Sequence, residues 1–316
     1  MKKPSLAALA LLVLAPVLFP AETLSLAIGY IPHIQFAPLY VGIEKGFYGK
    51  ENIDLKIEYG MGVDIFSLLA AGRIDLGLSD SDQLLIAGAK KLGLLAVFQY
   101  YQSYPVTIVA RADAVKSPGD FAGLSIGTPE LFGTSYIGLQ LFLEKFGLEG
   151  KTGIERIGYT QIPSLLGGRI AGVVCFYNNE PLQLRESGVP IVQWDVKDFS
   201  DMVGASFLTS RRILEKKEGL LRGFVRATAR AMDYTVKNRD EAVMLSEKYI
   251  GRLTPEKRAY TRKVLEATTN LFESGGGYGF LDGERYGASI RTLARMGLIG
   301  APYPAAEIIR NLTPGH

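Results

Sequence analysis

The residues with the clearest capacity to bind a ligand are two amides and a carboxylate that follow a predicted buried strand. Asn178, Asn179 and Glu180 stand directly after the apolar segment 172–177. Together they offer amide donors, amide acceptors and a negative charge, which suits a ring edge with mixed donors and acceptors, or a polyol. Glu180 could accept charge-assisted hydrogen bonds from an amino or protonated ring group. The alternative is a solvated loop residue, or a cap for a helix that starts at Pro181.

Aromatic side chains are concentrated in the same predicted strand-to-helix loops. They are Tyr30, Phe36, Tyr40, Tyr100, Tyr101, Tyr104, Phe132, Tyr136 and Tyr177. A ring stacked on a flat ligand contributes about 1–3 kcal/mol per face, by comparison with proteins that stack on nucleic-acid bases. Each of these residues could instead pack in the core, so the pattern predicts a stacking site without assigning every ring to it.

Hydroxyl, carboxyl and amide side chains at other strand ends extend this set. Thr134 and Ser135 stand where a helix is predicted to begin. Free backbone N–H groups and hydroxyls there can hold an anion or a carbonyl, or the residues can simply cap the helix. Asp80 and Asp82 follow a strand, and one of them is expected to cap the next helix. Gln99 precedes a predicted crossover between domains and could bind a ring edge.

These residues must be positioned by alternating strand-like and helix-like segments. Ile53–Tyr59 alternates apolar and polar residues with period two, as a half-buried strand does. Repeated alternation of strands and helices predicts parallel sheets covered by helices. The segment from residue 213 onward reads as helices without strands, and packing them back on the first α/β block is the simplest arrangement.

This order of segments predicts two lobes with a cleft between them. Residues 22–104 plus 205–316 are expected to form lobe 1, which is discontinuous, and residues 105–204 to form lobe 2. Such a cleft is the expected ligand site, because ligands bind at domain interfaces outside the carboxyl ends of parallel strands. The lobes are expected to close by hinge bending at two crossovers, Gln102–Pro105 and Val203–Phe207.

Composition and charge exclude several classes of protein. The 316 residues carry 35 Lys and Arg against 32 Asp and Glu, a formal charge of +3, so there is no basic field for binding nucleic acid. The single cysteine, Cys175, excludes an intramolecular disulfide and a cysteine-based metal site within one chain. We expect no metal and no cofactor. No His-Glu-x-x-His motif is present.

The N-terminus is typical of a secretory signal peptide. Lys2 and Lys3 precede an apolar run over residues 6–19, and the small residue Ala21 follows, so we expect a signal peptide over residues 1–21. The run is short for a membrane span, which needs about 20 apolar residues. An uncleaved anchor is the alternative. No cysteine stands near the cleavage point, which excludes a lipid-anchored export signal, and the expected location is the periplasm.

Five segments follow one another along the chain: residues 29–48 (GYIPHIQFAPLYVGIEKGFY), 70–77 (AAGRIDLG), 117–123 (SPGDFAG), 167–172 (GGRIAG) and 178–181 (NNEP). In this order they resemble segments of the NMT1/THI5-like solute-binding proteins, relatives of the sulfonate- and taurine-binding proteins. The loops at 132–136 (FGTSY) and 178–181 are similar to those of the branch tied to flat heteroaromatic vitamins, namely riboflavin and the pyrimidine precursors of thiamine.

The resemblance implies the periplasmic-binding-protein type II fold, an α/β fold with a ligand cleft between two lobes. It also implies import: a receptor, expected to be a monomer, that delivers a small organic ligand to the permease and ATPase of an ABC transporter. The ligand-binding residues indicated by the resemblance and by the loop chemistry together are His33, Gln35, Phe36, Tyr40, Asp80, Gln99, Tyr101, Phe132, Thr134, Ser135, Tyr136, Tyr177, Asn178, Asn179 and Glu180.

Two other functions remain open from the sequence. A receptor for aliphatic sulfonates or taurine-like anions would need Ser, Thr and helix N-termini with Arg nearby, whereas the candidate loops carry acids and amides. The family also includes a pyrimidine synthase that consumes its own active-site histidine and carries a CCCFC motif. The matching stretch here, residues 173–177, is VVCFY with one cysteine. We therefore expect a transport protein and not an enzyme.

Overall fold

Alternating strands and helices form the described part of the chain. A computed structural model describes residues 20–272 and 275–312, so residues 1–19 of the expected signal peptide lie outside the described part. The strands are β1 (Glu22–Ile28), β2 (Ile53–Tyr59), β3 (Leu76–Asp80), β4 (Leu94–Gln99), β5 (Val106–Arg111), β6 (Ser125–Thr128), β7 (Gly153–Arg156), β8 (Gly172–Phe176), β9 (Ile191–Asp195) and β10 (Ala205–Ser210). The helices are α1 (Ala37–Glu44), α2 (Ile65–Ala71), α3 (Ser81–Ala89), α4 (Gly133–Phe146), α5 (Gln161–Leu166), α6 (Glu180–Glu186), α7 (Arg211–Lys237), α8 (Arg239–Ile250), α9 (Pro255–Thr269) and α10 (Gly283–Arg295).

The strands form two five-stranded sheets. The first has the order β2-β1-β3-β10-β4, and the second has the order β7-β6-β8-β5-β9. In the first sheet β1 pairs in parallel with β2 and β3, and in the second β6 pairs in parallel with β7 and β8. Each sheet has four strands that run in the same direction, and their carboxyl ends lie at one edge, where ligand sites of α/β proteins are found.

Both sheets are mixed, whereas the alternation of segments predicted parallel sheets. β10 runs antiparallel to β3 and β4, and β5 runs antiparallel to β8 and β9. Each of these strands is the first that the chain forms after passing from one sheet to the other. The chain enters at the edge where the parallel strands end, so the incoming strand runs in the opposite direction.

The C-terminal helices cover the first sheet. α7 and α8 pack against α1, α7 also contacts β10 and β4, and α10 packs against α3. One buried apolar cluster joins this sheet to α7 through residues such as Leu26, Phe207 and Phe224. A second cluster includes Leu84 on α3 and Phe142 on α4, so the apolar core continues from one sheet to the other.

Local sequence signals explain where the helices near the sheet edges begin and end. Asp64 caps α2 by accepting a hydrogen bond from the Ser67 N–H at 3.0 Å, and α2 ends at Gly72, whose φ of +65° is left-handed. α4 likewise ends at Gly147, with φ of +64°. None of the helices in the described residues has both the length and the apolar character needed to cross a membrane.

Candidate functional site

A cleft of about 530 Å³ lies between the carboxyl ends of the two sets of parallel strands. From the first sheet, Tyr30 follows β1, Met61 follows β2 and Asp80 ends β3. From the second sheet, residues 129–135 follow β6, Tyr159 follows β7 and residues 178–180 follow β8. Side chains from all of these strand ends line the cleft. This volume falls in the range of about 300–1,000 Å³ that is typical of small-molecule sites.

Most of the ligand-binding residues expected from the sequence lie on the wall of this cleft. The first sheet and its loops contribute His33, Gln35, Phe36, Asp80 and Tyr101. The second contributes Phe132, Thr134, Ser135, Asn178, Asn179 and Glu180. The structure thus brings together residues as distant in the chain as His33 and Glu180; their contact with a ligand stays a prediction.

The structure does not place four of the expected residues on the wall. Tyr40 is fully buried, its ring stacked on Tyr249 at a centroid distance of 4.3 Å. Gln99 is buried, and its amide nitrogen donates to the backbone carbonyls of three residues, Tyr101, Gly204 and Ala205. Tyr136 lies half-buried on α4, and Lys197 lies over the ring of Tyr177 at 5.3 Å. A strand-end position fixes where a loop lies but not which way each ring points.

Several wall residues were missed by the sequence analysis. They are Met61, Val63, Asp64, Phe66, Gln83, Glu130, Tyr159, Gln161 and Phe176. Met61, Glu130 and Tyr159 follow the ends of β2, β6 and β7, so applying the strand-end rule to every parallel strand would have found them. β7 is a four-residue strand, GIER, whose side chains are partly exposed, and it carries little hydrophobic pattern from which to recognise it.

His33 and Gln35 are fixed by a hydrogen bond to each other and by bonds from two tyrosines to Gln35, and one of these tyrosines, Tyr101, also lines the cleft. His33 Nδ1 accepts from the Gln35 N–H at 3.4 Å, which leaves Nε2 to carry the proton of the neutral ring. Burial lowers the pKa of His33, which favours that neutral form. The Tyr100 hydroxyl donates to the Gln35 carbonyl at 2.6 Å, and the Tyr101 hydroxyl donates to Gln35 Oε1 at 2.9 Å. The amide group of Gln35 keeps its two N–H donors for other partners.

The loop after β8 is fixed by hydrogen bonds on both sides. Asn178 donates through Nδ2 to Thr268 Oγ1 on α9 at 2.9 Å, which leaves its carbonyl oxygen as an acceptor. Glu180 begins α6, and its Oε2 accepts from the Phe176 N–H at 3.1 Å. Burial raises the pKa of Glu180. Both interpretations of Glu180 are therefore compatible with the structure, since it lies in the first turn of a helix and also lines the cleft.

The described wall of the cleft carries four acidic side chains and no lysine or arginine. The acids are Asp64, Asp80, Glu130 and Glu180. Asp64 caps α2, and Glu130 pairs with Arg156 at 2.5 Å. The acidic groups left without a cationic partner or a capping role are thus those of Asp80 and Glu180. An anion in this cleft would face carboxyl groups and find no cationic side chain, whereas a neutral ring with donors and acceptors would find partners on both sides.

The described residues include no cluster of metal-ligating side chains, and the thiol of Cys175 is buried. Among residues 20–272 and 275–312, no group of three or more His, Cys, Asp and Glu side chains is placed to hold a metal ion. Cys175 lies inside β8 and is buried, and burial raises the pKa of its thiol well above the usual value. The thiol is therefore protonated at neutral pH and is a poor nucleophile.

Comparisons with known proteins agree in family and fold. The family model described as NMT1/THI5 like matches residues 33–242. The chain is 28% identical to the riboflavin-binding protein RibY of Chloroflexus aurantiacus, over 93% of this chain and 87% of that protein. It is also 28% identical to a formylaminopyrimidine-binding protein of Halalkalibacterium halodurans, over 70% of this chain and 69% of the relative.

A solved structure supports the fold independently of close sequence similarity. The periplasmic aliphatic sulphonate binding protein SsuA of Escherichia coli superposes with a TM-score of 0.74, covering 92% of this chain and 93% of that one, at 14% identity. The two-lobed α/β fold expected from the sequence is thereby confirmed. At this level of identity the likeness concerns the fold alone, and the ligand of that protein carries no weight for this one.

Proposed function

The chain belongs to the NMT1/THI5-like family, and on that premise we propose that it is the extracytoplasmic substrate-binding component of an ABC importer for a flat heteroaromatic vitamin or vitamin precursor. Its partners are a permease and an ATPase, its location is the periplasm, and it acts as a monomer. The observation that carries the proposal is the wall of the cleft, in which aromatic and amide side chains from both sheets meet without a single lysine or arginine among the described lining residues.

Within that class, riboflavin fits the dimensions of the cleft better than a single-ring pyrimidine. A volume of about 530 Å³ suits a ligand of several fused rings with a polar side chain. Three wall side chains are also strongly exposed, Met61 (54%), Phe132 (71%) and Tyr159 (73%). We call these the rim residues. A ligand that fills only the inner part of the cleft would leave them in water, whereas a longer ring system would reach them.

The relatives support the same ranking. The similarity to a protein named for riboflavin binding extends over 93% of this chain, and that to one named for formylaminopyrimidine binding over 70%. Both are named as binding proteins, which supports a receptor without turnover. An aliphatic sulfonate is disfavoured because Thr134, at the N-terminus of α4, has the carboxyl groups of Asp80 and Asp82 within hydrogen-bonding distance. That arrangement repels an anion.

The proposal is tested by calorimetric titration of the purified protein, without residues 1–21, with four ligands in parallel: riboflavin, formylaminopyrimidine, thiamine and a short alkanesulfonate. We expect saturable one-to-one binding of riboflavin, and a rise in thermal stability of roughly 2.7 kcal/mol at a ligand concentration 100 times Kd. Binding of the pyrimidine alone would reassign the ligand within the class. Binding of the sulfonate alone would contradict the proposal.

A further inference from the structure

Two aspartates meet at the inner end of the cleft around a single hydroxyl group. Asp80 ends β3 and Asp82 lies in the first turn of α3, while Thr134 lies in the first turn of α4, beside the other sheet. Thr134 Oγ1 lies 3.0 Å from Asp80 Oδ2 and 2.9 Å from Asp82 Oδ1. Asp82 is fully buried, whereas Asp80 is half-buried and lines the cleft.

The number of protons in this group is restricted by its geometry. A threonine hydroxyl has one proton and can donate it to only one of two carboxyl groups. If both aspartates were ionised, the second contact would join two oxygens with no proton between them, and two negative charges would share a buried site. One proton on a carboxyl group removes both conflicts, because that carboxyl donates to Thr134 Oγ1 and the hydroxyl donates to the other.

The hydrogen bonds around the pair indicate that Asp80 carries this proton. Asp82 accepts from the Tyr104 hydroxyl at 2.6 Å and from Gln83 Nε2 at 3.1 Å, and the N-terminus of α3 also stabilises its charge. Asp80 occupies the N-cap position of α3 yet makes no capping hydrogen bond. Burial raises the pKa of both carboxyl groups, and the nearby charge of Asp82 raises that of Asp80 further, to about 7.

We propose that Asp80 and Asp82 hold one proton between them, and that loss of this proton weakens both the contact between the two halves of the molecule and the binding of an uncharged ligand. The second part rests on the proposed function. Closing the cleft over a neutral ring removes water from Asp80, which penalises its charged form. The site therefore binds such a ligand best while the proton is in place.

Other charged and titratable groups surround the pair on the neighbouring elements. The chain between β4 and β5 contributes the phenols of Tyr101 and Tyr104, and burial raises the pKa of both, so they stay neutral. α10 contributes the Tyr286 hydroxyl, bonded to Ser81, and Arg285, whose guanidinium reaches the Met202 carbonyl. The cleft wall adds other titratable groups, those of His33, Asp64, Glu130 and Glu180. Because these groups also respond to pH, the test must compare variants of the pair itself.

The expected effect on stability follows from the direction of the pKa shift. The pKa of Asp80 is about 7 in the folded protein and about 3.9 for an unfolded aspartate. Between these values the folded state holds the proton more tightly than the unfolded state. The free energy of unfolding contributed by this group therefore falls as pH rises through that window and levels off above about pH 7.

The first experiment uses the ligand-free protein. Chemical unfolding is followed from about pH 5 to about pH 9 for the wild type, Asp80→Asn and Asp82→Asn. The amide introduced by Asp80→Asn can donate to Thr134 as the protonated acid does, so D80N is expected to gain stability relative to the wild type as pH rises to about 7 and to keep that gain above it. D82N places an amide N–H group beside three donors, those of Gln83, Tyr104 and Thr134, and is expected to be less stable than the wild type at every pH.

An NMR titration of the wild-type protein measures the protonation of the aspartates directly, and so tests the proposal even if a variant fails to fold. The side-chain carboxyl carbons of the aspartates are followed by NMR as a function of pH. We expect one aspartate signal to titrate near pH 7, assigned to Asp80 by its loss in D80N or, if that variant does not fold, by its shift in Thr134→Val. No aspartate titrating above its ordinary range, or equal pH profiles for D80N and wild type, would overturn the proposal.

The second experiment measures riboflavin affinity from about pH 6 to about pH 8.5. We expect Kd to rise by up to about tenfold per pH unit above pH 7 in the wild type and to stay constant in D80N.

The two experiments distinguish the claim of a shared proton from the claim that this proton affects ligand binding. If riboflavin does not bind while Asp80 titrates near pH 7, the proposed ligand is wrong and the shared proton stands. If riboflavin binds with the same pH dependence in wild type and D80N, the linkage to the ligand is refuted.

Discussion

Phe132 and Tyr159 are large aromatic side chains that the cleft leaves mostly in water, at 71% and 73% exposure. Exposed rings of this size are tolerated singly on any protein surface, but here both line one cavity together with Met61 on the facing sheet. A flat ring held between them would remove apolar area from water on both of its faces. We therefore propose that the rim residues contribute affinity for an extended ring system.

At the residue scale we predict that Phe132→Ala weakens riboflavin binding by about tenfold or more, since a stacked face contributes about 1–3 kcal/mol and 1.4 kcal/mol is a factor of ten. The matched control is Tyr136→Ala, which removes another aromatic ring from α4 at a position off the cleft wall. Both variants are measured by quenching of flavin fluorescence. Equal losses in the two variants would show that Phe132 has no special contact with the ligand.

Sequence patterns predicted the position of some residues of the site and not of others. The set Asn178–Glu180 and Thr134 could be placed at a site from sequence because a strand of recognisable pattern precedes a predicted helix. Tyr40 could not be excluded, because its position on α1 is compatible with either face and only the stacking with Tyr249 shows that it points inward. The carboxyl pair was recognised only as two acids near a helix start; the approach of Thr134 from the other sheet is a tertiary contact without a local signal.

At the scale of elements, two chain segments that join the sheets lie directly against each other. The N–H groups of Tyr100 and Tyr101 both donate to the Ala205 carbonyl, at 2.8 and 2.9 Å. A β-carbon on Gly204 would stand 2.5 Å from the Ser103 carbonyl oxygen and closer still to that of Tyr101. Both obstacles are backbone atoms, which cannot rotate away as a side chain could. A glycine is thus required where these segments pass.

We predict that Gly204→Ala destabilises the protein by about 1–3 kcal/mol, the usual cost of overpacking, and lowers Tm by several degrees. Gly219→Ala is the control, because that glycine lies exposed in α7 with nothing near its missing β-carbon. Alanine there should leave stability unchanged or raise it by up to about 1 kcal/mol. Scanning calorimetry distinguishes the outcomes, and a Gly204→Ala variant as stable as Gly219→Ala would show that the segments are free to separate.

The order of strands and helices along the chain was largely predictable from the sequence. The direction of two strands was not, and this has a physical cause. Most strands and helices could be predicted because their apolar residues recur with a period of two in strands and of about 3.6 in helices, and because glycines mark the ends of helices. The antiparallel placement of β5 and β10 was not predicted. Strand direction depends on the edge at which the chain enters a sheet, and this follows from the path of the crossovers and not from the residues of the strand.

At the scale of the whole molecule, we propose that the two sheets belong to two lobes, residues 22–104 plus 205–316 and residues 105–204, that move about the paired crossovers. The two halves are joined by the contact of Thr134 with Asp80 and by the hydrogen bond from Asn178 to Thr268. Two ion pairs also join them, Lys263 on α9 with Glu186 on α6 at 2.7 Å and Arg295 on α10 with Glu144 on α4. Exposed ion pairs of this kind contribute about 0–1 kcal/mol each. They permit opening and closing, while the apolar contact between α3 and α4 keeps the halves together.

We propose that a flat, uncharged ring is held between these two lobes, which close over it. Small-angle X-ray scattering of the protein with and without saturating riboflavin tests it most directly, with an alkanesulfonate as the matched control. We predict that riboflavin lowers the radius of gyration and shortens the largest interatomic distance, whereas the sulfonate changes neither. Identical scattering curves in the presence of riboflavin, at a concentration where calorimetry shows the site to be filled, would contradict the claim.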